Sequence, residues 1–210
     1  MARTQEQRRQ LTLQKLHEAT IECIVTHGFS RLTTIEIARV AGVSQGALFR
    51  YYPTKTAAVV GATRYLFAKV TDDFSALLGS PEKANLVNLI DDLETWFASA
   101  DFIAVSRLFA ESSADAELRK AIAPIIEQHR KNTDALICRI FPEEGQAMQR
   151  SAAHAVIYLL QGIATERHLI RRDTIERNIM QPLRDFAGLM QVSHAGIITD
   201  KNPGGKKWNK

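Results

Sequence analysis

The groups best suited to chemistry in this chain are gathered between residues 33 and 55, and their chemistry is recognition rather than bond making. Gln45 carries an amide able to pair with an adenine edge, and Gly46 removes side-chain bulk so that the backbone can come close to another surface. Ala47 offers a methyl group that suits a thymine methyl. Arg50, Tyr51 and Lys55 follow as donors suited to phosphate oxygens, Lys55 from the start of a further helix, where backbone N–H groups also favour an anion. Thr33, Thr34, Ser44 and Phe49 complete the set expected to face DNA.

Such groups act together only if short elements hold them. Thr33 with Glu36 makes a capping box, so the pattern predicts a helix from Thr34 to about Ala41, ended by Gly42. Ser44 is a good N-cap for a second helix over Gln45 to Tyr51, and Pro53 with Thr54 closes it before another begins near Lys55. Two helices joined by so short a turn must cross steeply, which demands a small residue at the crossing, a permissive turn residue and apolar locks behind. Ala38, Gly42 and Leu48 meet those demands, with Ile37, Val43 and Tyr52 as further core. This is the pattern of a helix-turn-helix whose second helix reads bases; a structural helical hairpin with solvated charges is the alternative.

With these residues in place, the segment resembles the tetracycline-repressor (TetR) family of transcriptional regulators. The family pattern runs approximately T-x-x-x-IA-x-x-AGVS-x-G-x-LY-x-x-F-x-x-K, and Thr33, Ile37, Ala38, Ala41, Gly42, Val43, Ser44, Gly46, Leu48 and Lys55 match it. Two positions depart: Phe49 stands where the family usually has Tyr, and Tyr52 where it usually has Phe. The resemblance covers about Leu16 to Leu66. It implies an effector site in the body and a dimer built from a four-helix interface.

Charge points the same way as the motif. Residues 1 to 60 hold 8 Lys and Arg against 4 Asp and Glu, a net +4; residues 61 to 195 hold 15 against 18, a net −3; residues 196 to 210 hold 4 against 1, a net +3. Positive charge at the ends is an electrostatic footprint for nucleic acid and implies affinity that falls steeply with salt. Arg3, Arg8 and Arg9 could follow the DNA backbone or enter the minor groove, or belong to a frayed, solvated helix start.

The rest of the chain reads as helix, so the expected fold class is all-α: a three-helix head over residues 1–60, an antiparallel helical body for regulation and dimerisation over 61–195, and a disordered basic tail over 196–210. Helix one is expected from about Gln5 to Thr26, ended by Gly28, and a longer helix from Lys55 to Leu78 ties head to body. Further helices are expected from Ser80 and Pro81 to about Ser99, from Phe102 to Glu111, from Asp115 to Phe141 with an interruption or kink at Pro124, and from Pro142 to about Arg171. Asp173 with Glu176 should cap a final helix to about Val192.

On that final helix Ile175, Ile179, Leu183, Phe186 and Met190 recur at spacings of four, four, three and four, a stripe that wants a partner helix. Ser151, Ala155 and Gly162 allow close approach on the helix before it. A homodimer is therefore expected, although part of the stripe must serve the core of its own subunit. In the middle of the body Leu66, Val70, Phe74, Trp96, Phe97 and Phe102 could line a cavity. Phe109, Ile126 and Tyr158 could extend it, with Arg107, His129, His154 and Gln161 as polar points. Packed core is the competing reading of the same stripe. The apolar tilt suggests a lipophilic or amphipathic effector.

Several classes are disfavoured. There is no H-E-x-x-H, C-x-x-C, G-x-x-x-x-G-K-[ST] or G-x-S-x-G, so neither a metal site, a cofactor nor an enzyme is expected. The pairs Glu127 with His129 and Glu166 with His168 lie two residues apart on helices and diverge around the axis. The first residues lack a signal-peptide core and no run of about 18 apolar residues exists, so a cytoplasmic chain without a membrane span is expected. Cys23 and Cys138 both fall on apolar helical faces and are expected as buried free thiols. A DNA-binding protein whose body docks another protein remains the main alternative to a ligand-gated repressor.

Overall fold

The structure, a computed structural model, describes residues 4–77, 85–142, 144–167 and 178–189. Among these every regular element is a helix: α1 (Gln5–Arg31), α2 (Thr34–Val40), α3 (Gln45–Tyr51), α4 (Lys55–Leu77), α5 (Leu86–Phe97), α6 (Ala100–Ala114), α7 (Ala116–Ile140), a 3-10 turn (Glu144–Gln146), α8 (Ala147–Arg167) and α9 (residues 178–189). The expected helix start at Ser80 and Pro81, the expected caps on the final helix, Asp173 and Glu176, and the tail lie outside the described residues. No helix among those described is long and apolar enough to cross a membrane.

Residues 1–77 and 95–136 form one compact unit, and residues 78–94 and 137–210 form a second. In the first, α1 packs chiefly on α6 and α4, and α2 on α1 and α3. Its core brings Leu16, Cys23 and Ile24 of α1 together with Ile37, Leu48, Val59, Leu66, Leu108 and Ile122, all essentially buried. Burying each such side chain contributes roughly 1.5–3 kcal/mol, which stabilises the short α2 and α3 far more than their own backbone bonds could. Trp96, Phe97 and Phe102 pack edge to face, with centroids 4.7 to 5.4 Å apart. In the second unit the buried side chains include Leu86, Ile90, Leu93, Ile137, Phe141, Val156, Leu160 and Met180. There Arg184 of α9 donates to Asp91 at 3.0 Å and Glu94 at 2.5 Å on α5.

Several boundaries differ from expectation, each for a local reason. The α1 helix does not simply stop at Gly28; it breaks there, with φ at 74° and ψ at 168°, and one further turn runs to Arg31. The fifth helix begins at Leu86, capped by Asn85, whose side chain accepts the Asn88 N–H at 2.9 Å. Ser99 does not end that helix but caps the next, accepting the Phe102 N–H, so α6 starts at Ala100. Asp115 caps α7 through the Leu118 N–H at 2.8 Å, and α7 continues through Pro124 rather than being interrupted. After Pro142 the chain makes a 3-10 turn holding Gly145, a poor helix former, and α8 begins only at Ala147. Cys138 is exposed, not buried: Ile137 and Ile140 take the inner face of α7, and the next residue along is carried round to the outside. Cys23 is buried as expected, and burial pushes its thiol up to about 11.

Candidate nucleic-acid interface

The two short helices are held by local chemistry at each end. Thr33 caps α2 by accepting the Glu36 N–H at 3.2 Å. The return arm of the expected capping box is not made, because Glu36 turns to Arg39 and accepts from its Nε at 3.0 Å and its Nη2 at 2.7 Å. That pairing holds the Glu36 carboxyl below the usual carboxylate range. At the other end of α2 the Gly42 N–H reaches Arg39 O at 3.2 Å and the Val43 N–H reaches Ala38 O at 3.0 Å, closing a Schellman motif. It needs a left-handed residue, and Gly42 supplies φ of 64°. Ser44 then caps α3, accepting the Ala47 N–H at 3.1 Å. Thr54 caps α4 in the same way through the Ala57 N–H at 3.0 Å.

These caps orient α3. Leu48 is completely buried, and Ile37, Ala38 and Ala41 are buried behind it. Ser44, Gln45, Gly46 and Arg50 are exposed, Thr34, Ala47 and Tyr51 are half-buried, and Phe49 is 44% exposed. One helix face therefore carries an amide, a bare backbone, an aromatic ring and a guanidinium outward together. Gly46 is informative. A Cβ built there would meet nothing nearer than the Ser44 hydroxyl at 4.0 Å. Nothing among the described residues requires glycine at a helical position where it costs about 1 kcal/mol relative to alanine.

Lys55 has an internal anchor that the sequence did not announce. Its Nζ donates to Phe29 O at 3.1 Å and sits 4.1 Å above the Phe29 ring. An ammonium has three donors, so the remaining ones stay available to an external anion. The Phe29 segment is gripped from another direction as well. The Glu111 carboxylate of α6 accepts the Phe29 N–H at 2.6 Å, the Ser30 N–H at 2.8 Å and the Ser30 hydroxyl at 2.9 Å. Arg107, which sequence reasoning set among pocket groups, is exposed and donates to Ile24 O at 3.4 Å. Glu111 was missed because its partners lie more than eighty residues earlier in the chain.

Of the other pocket candidates, Leu66 belongs to the buried core of the first unit, with Phe109 and Ile126 packed against it. Val70 is buried. His129 stacks on Phe67 with centroids 4.3 Å apart, and burial lowers its pKa. The side chain of Phe74 lies outside the described residues. In the second unit His154 and Gln161 are half-buried and Tyr158 is 63% exposed. Ser151, Ala155 and Gly162 share the exposed side of α8, and on α9 Ile179 and Leu183 are half-buried while Phe186 is 54% exposed. Ile175 and Met190 lie outside the described residues. Among the described residues no group of His, Cys, Asp and Glu could hold a metal ion.

Comparison with known proteins gives a consistent result. The model of the family "Bacterial regulatory proteins, tetR family" matches residues 16–59. The HTH-type transcriptional regulator CymR of Pseudomonas putida is 25% identical over 160 residues, spanning 75% of this chain and 78% of that protein. A tetR-family transcriptional regulator from Streptomyces coelicolor superposes with a TM-score of 0.63 at 19% identity, over 88% of this chain and 82% of that one. The regulator FadR from Bacillus subtilis, solved in complex with stearoyl-CoA, superposes with a TM-score of 0.61 at 16% identity, over 83% and 96%. At such identities the two structures speak for the fold alone.

Proposed function

We propose that the chain, whose residues 16–59 match the model of the TetR family of DNA-binding transcriptional regulators, is a regulator of that family rather than an enzyme: a cytoplasmic homodimeric repressor released from a pseudo-palindromic operator by a small lipophilic or amphipathic effector. The observation that carries the reading is Gly46: an exposed helical glycine with no internal reason to be there, beside Gln45 and Arg50 on the outward face of α3. A backbone that must approach the floor of a major groove supplies the missing reason. Gln45 and Ala47 read base edges, while Thr33, Thr34, Ser44, Arg50, Tyr51 and the free donors of Lys55 hold phosphates. Phe49 offers a ring edge to a thymine methyl or sugar where a tyrosine would have offered a hydroxyl.

Residues 1–60 supply the DNA-binding function and 61–195 the regulatory one. The outward sides of α8, where Tyr158 and Leu159 are exposed along with the small Ala155 and Gly162, and of α9, where Phe186 and Leu189 are exposed, suit a second copy of the chain. A two-fold dimer would set two α3 helices roughly 34 to 36 Å apart, one turn of DNA. FadR, bound to stearoyl-CoA, is a fold neighbour whose ligand has the amphipathic character proposed for the effector. The effector acts by population shift, favouring a conformation in which the reading helices no longer fit the operator. A coupling of ~1–3 kcal/mol weakens binding roughly 5- to 150-fold.

Sedimentation of the protein with a duplex enriched from a random pool tests this reading. Two chains per duplex are expected, with dissociation on adding long-chain acyl-CoA or a free fatty acid within the stated range. A single chain per duplex would remove the dimer. Insensitivity to every acyl compound, with displacement by a protein partner instead, would replace the small effector with docking.

A further inference from the structure

Tyr52 stands at the C-cap of α3, its N–H donating to Leu48 O at 2.8 Å. Its hydroxyl and His17 Nε2 on α1 share a hydrogen bond of 2.5 Å. Tyr65 of α4 packs on the same imidazole, with centroids 5.0 Å apart, and Tyr65 in turn donates to Glu18 at 3.4 Å. The slot is tight: a Cβ on Gly61 would lie 2.7 Å from Tyr52 ring carbons and 2.5 Å from its hydroxyl. The end of the reading helix is thus held by ring packing against α4 and by one polar contact to α1. A phenylalanine would keep the packing and lose the contact.

We propose that His17 and Tyr52 form a positioning pair, in which the hydrogen bond between them fixes the orientation of α3 and so sets how well Gln45 and Arg50 discriminate bases. The pair rests on the DNA-reading function of this head and goes beyond it in giving two residues, neither facing DNA, control over specificity.

The chemistry of the imidazole makes the pair sensitive to protons. His17 Nδ1 is buried with no hydrogen-bond partner among the described residues. A bare ring nitrogen bears that better than an N–H, so Nε2–H donates to the Tyr52 oxygen and Nδ1 carries the lone pair. Protonation would put a donor at Nδ1 with nothing to accept it. The groups facing the ring are Glu18 on α1, Tyr52 at the end of α3 and Tyr65 on α4. Glu18 favours the charged ring, but burial outweighs it and lowers the His17 pKa from its ordinary 6.5. A histidine lowered in the folded state is protonated first in the unfolded state. Its contribution is therefore complete above pH 6.5 and declines as pH falls below that value.

The test compares wild type with Tyr52→Phe, His17→Leu, His17→Gln and the double variant Tyr52→Phe/His17→Leu in the full-length chain. The readout is affinity for two labelled 40-base-pair probes between pH 5.5 and 8, with melting temperature measured alongside. One probe is a duplex enriched from a random pool by the wild type; the other is the random pool itself. His27, beside Glu36, is the same in every variant, so whatever it contributes is common to all of them. Tyr52→Phe and His17→Leu are each expected to weaken the enriched duplex about fivefold at pH 7.5 and leave the random pool unchanged. The double variant should be no worse than either single one. His17→Gln, which can still donate to the hydroxyl, should restore most of the affinity and flatten the decline at the acid end of the range, where the ring of the folded wild type, its pKa lowered by burial, takes up a proton. Equal affinities for wild type and Tyr52→Phe at every pH would overturn the proposal. So would parallel losses on both probes that track melting temperature, since those mark a merely structural contact. Failure to enrich any duplex would instead remove sequence-specific reading itself, and the pair's role with it.

Discussion

The reading element and the junction at Phe29 are both built from capped backbone groups, but the caps come from different distances. Thr33 and Ser44 each cap a helix that begins beside them, three residues from donor to acceptor. The Phe29 and Ser30 N–H groups are capped by Glu111, from α6, and the Phe29 carbonyl by Lys55, from the start of α4. The starts of the two reading helices are therefore capped locally, whereas the turn at Phe29 is held by polar contacts from remote positions. Changes in the first region should alter what is read or how well α3 forms. Changes in the second should alter the stability of the whole head.

The largest effect separating the two should come from Glu111→Ala. It leaves the Phe29 N–H, part-buried, without its acceptor and removes two further bonds to Ser30. A loss of about 2–3 kcal/mol in denaturant unfolding is expected, with operator preference unaltered at temperatures where the protein stays folded. Altered base preference with unchanged stability would erase the distinction between the regions. Gln45→Ala should do the reverse, costing ~1–3 kcal/mol of binding to the preferred sequence while melting stays within error of wild type. Equal loss on preferred and random DNA would show that Gln45 does not read a base.

Ser44→Ala lies between them. Removing the α3 cap should cost about 1 kcal/mol of stability and weaken all duplexes modestly, as measured by unfolding and by filter binding. Gly46→Ala should give the smallest and most telling change. Space is open around the new methyl, so the protein should gain up to ~1 kcal/mol of stability while DNA affinity falls. A stabilised variant that binds as tightly as wild type would mean that no DNA atom comes close at Gly46.

How much of this was legible in the sequence follows the same division. The bounds of α3 could be read at once because Ser44, Pro53 and Thr54 act on their immediate neighbours. Gly42 announced its turn for the same reason. Where two local partners compete, the sequence did not decide: Glu36 could serve the Thr33 cap or Arg39, and the paired guanidinium won. Ser99 was overlooked as a cap because Phe102 offered a rival starting point, and Asn85 because it falls inside a stretch expected to be helical already. Contacts between remote positions left no mark at all. Glu111 reads as one more charge on a helix, Lys55 as a phosphate ligand, and His17 as an undistinguished polar residue until folding sets it beside Tyr52. Cys138 shows the limit of helical periodicity: Ile137 and Ile140 take the covered face of α7, and Cys138, one position on, is turned about 100° from Ile137 into the open.

The central claim, that residues 33–55 read bases as part of a dimer, is tested most directly by selecting bound duplexes from a random pool with the full-length protein at near-physiological salt. Recovery of one pseudo-palindrome with half-sites about one helical turn apart is the predicted result. Recovery of no motif, with binding that disappears as salt rises, would contradict it and leave the head as an electrostatic binder only.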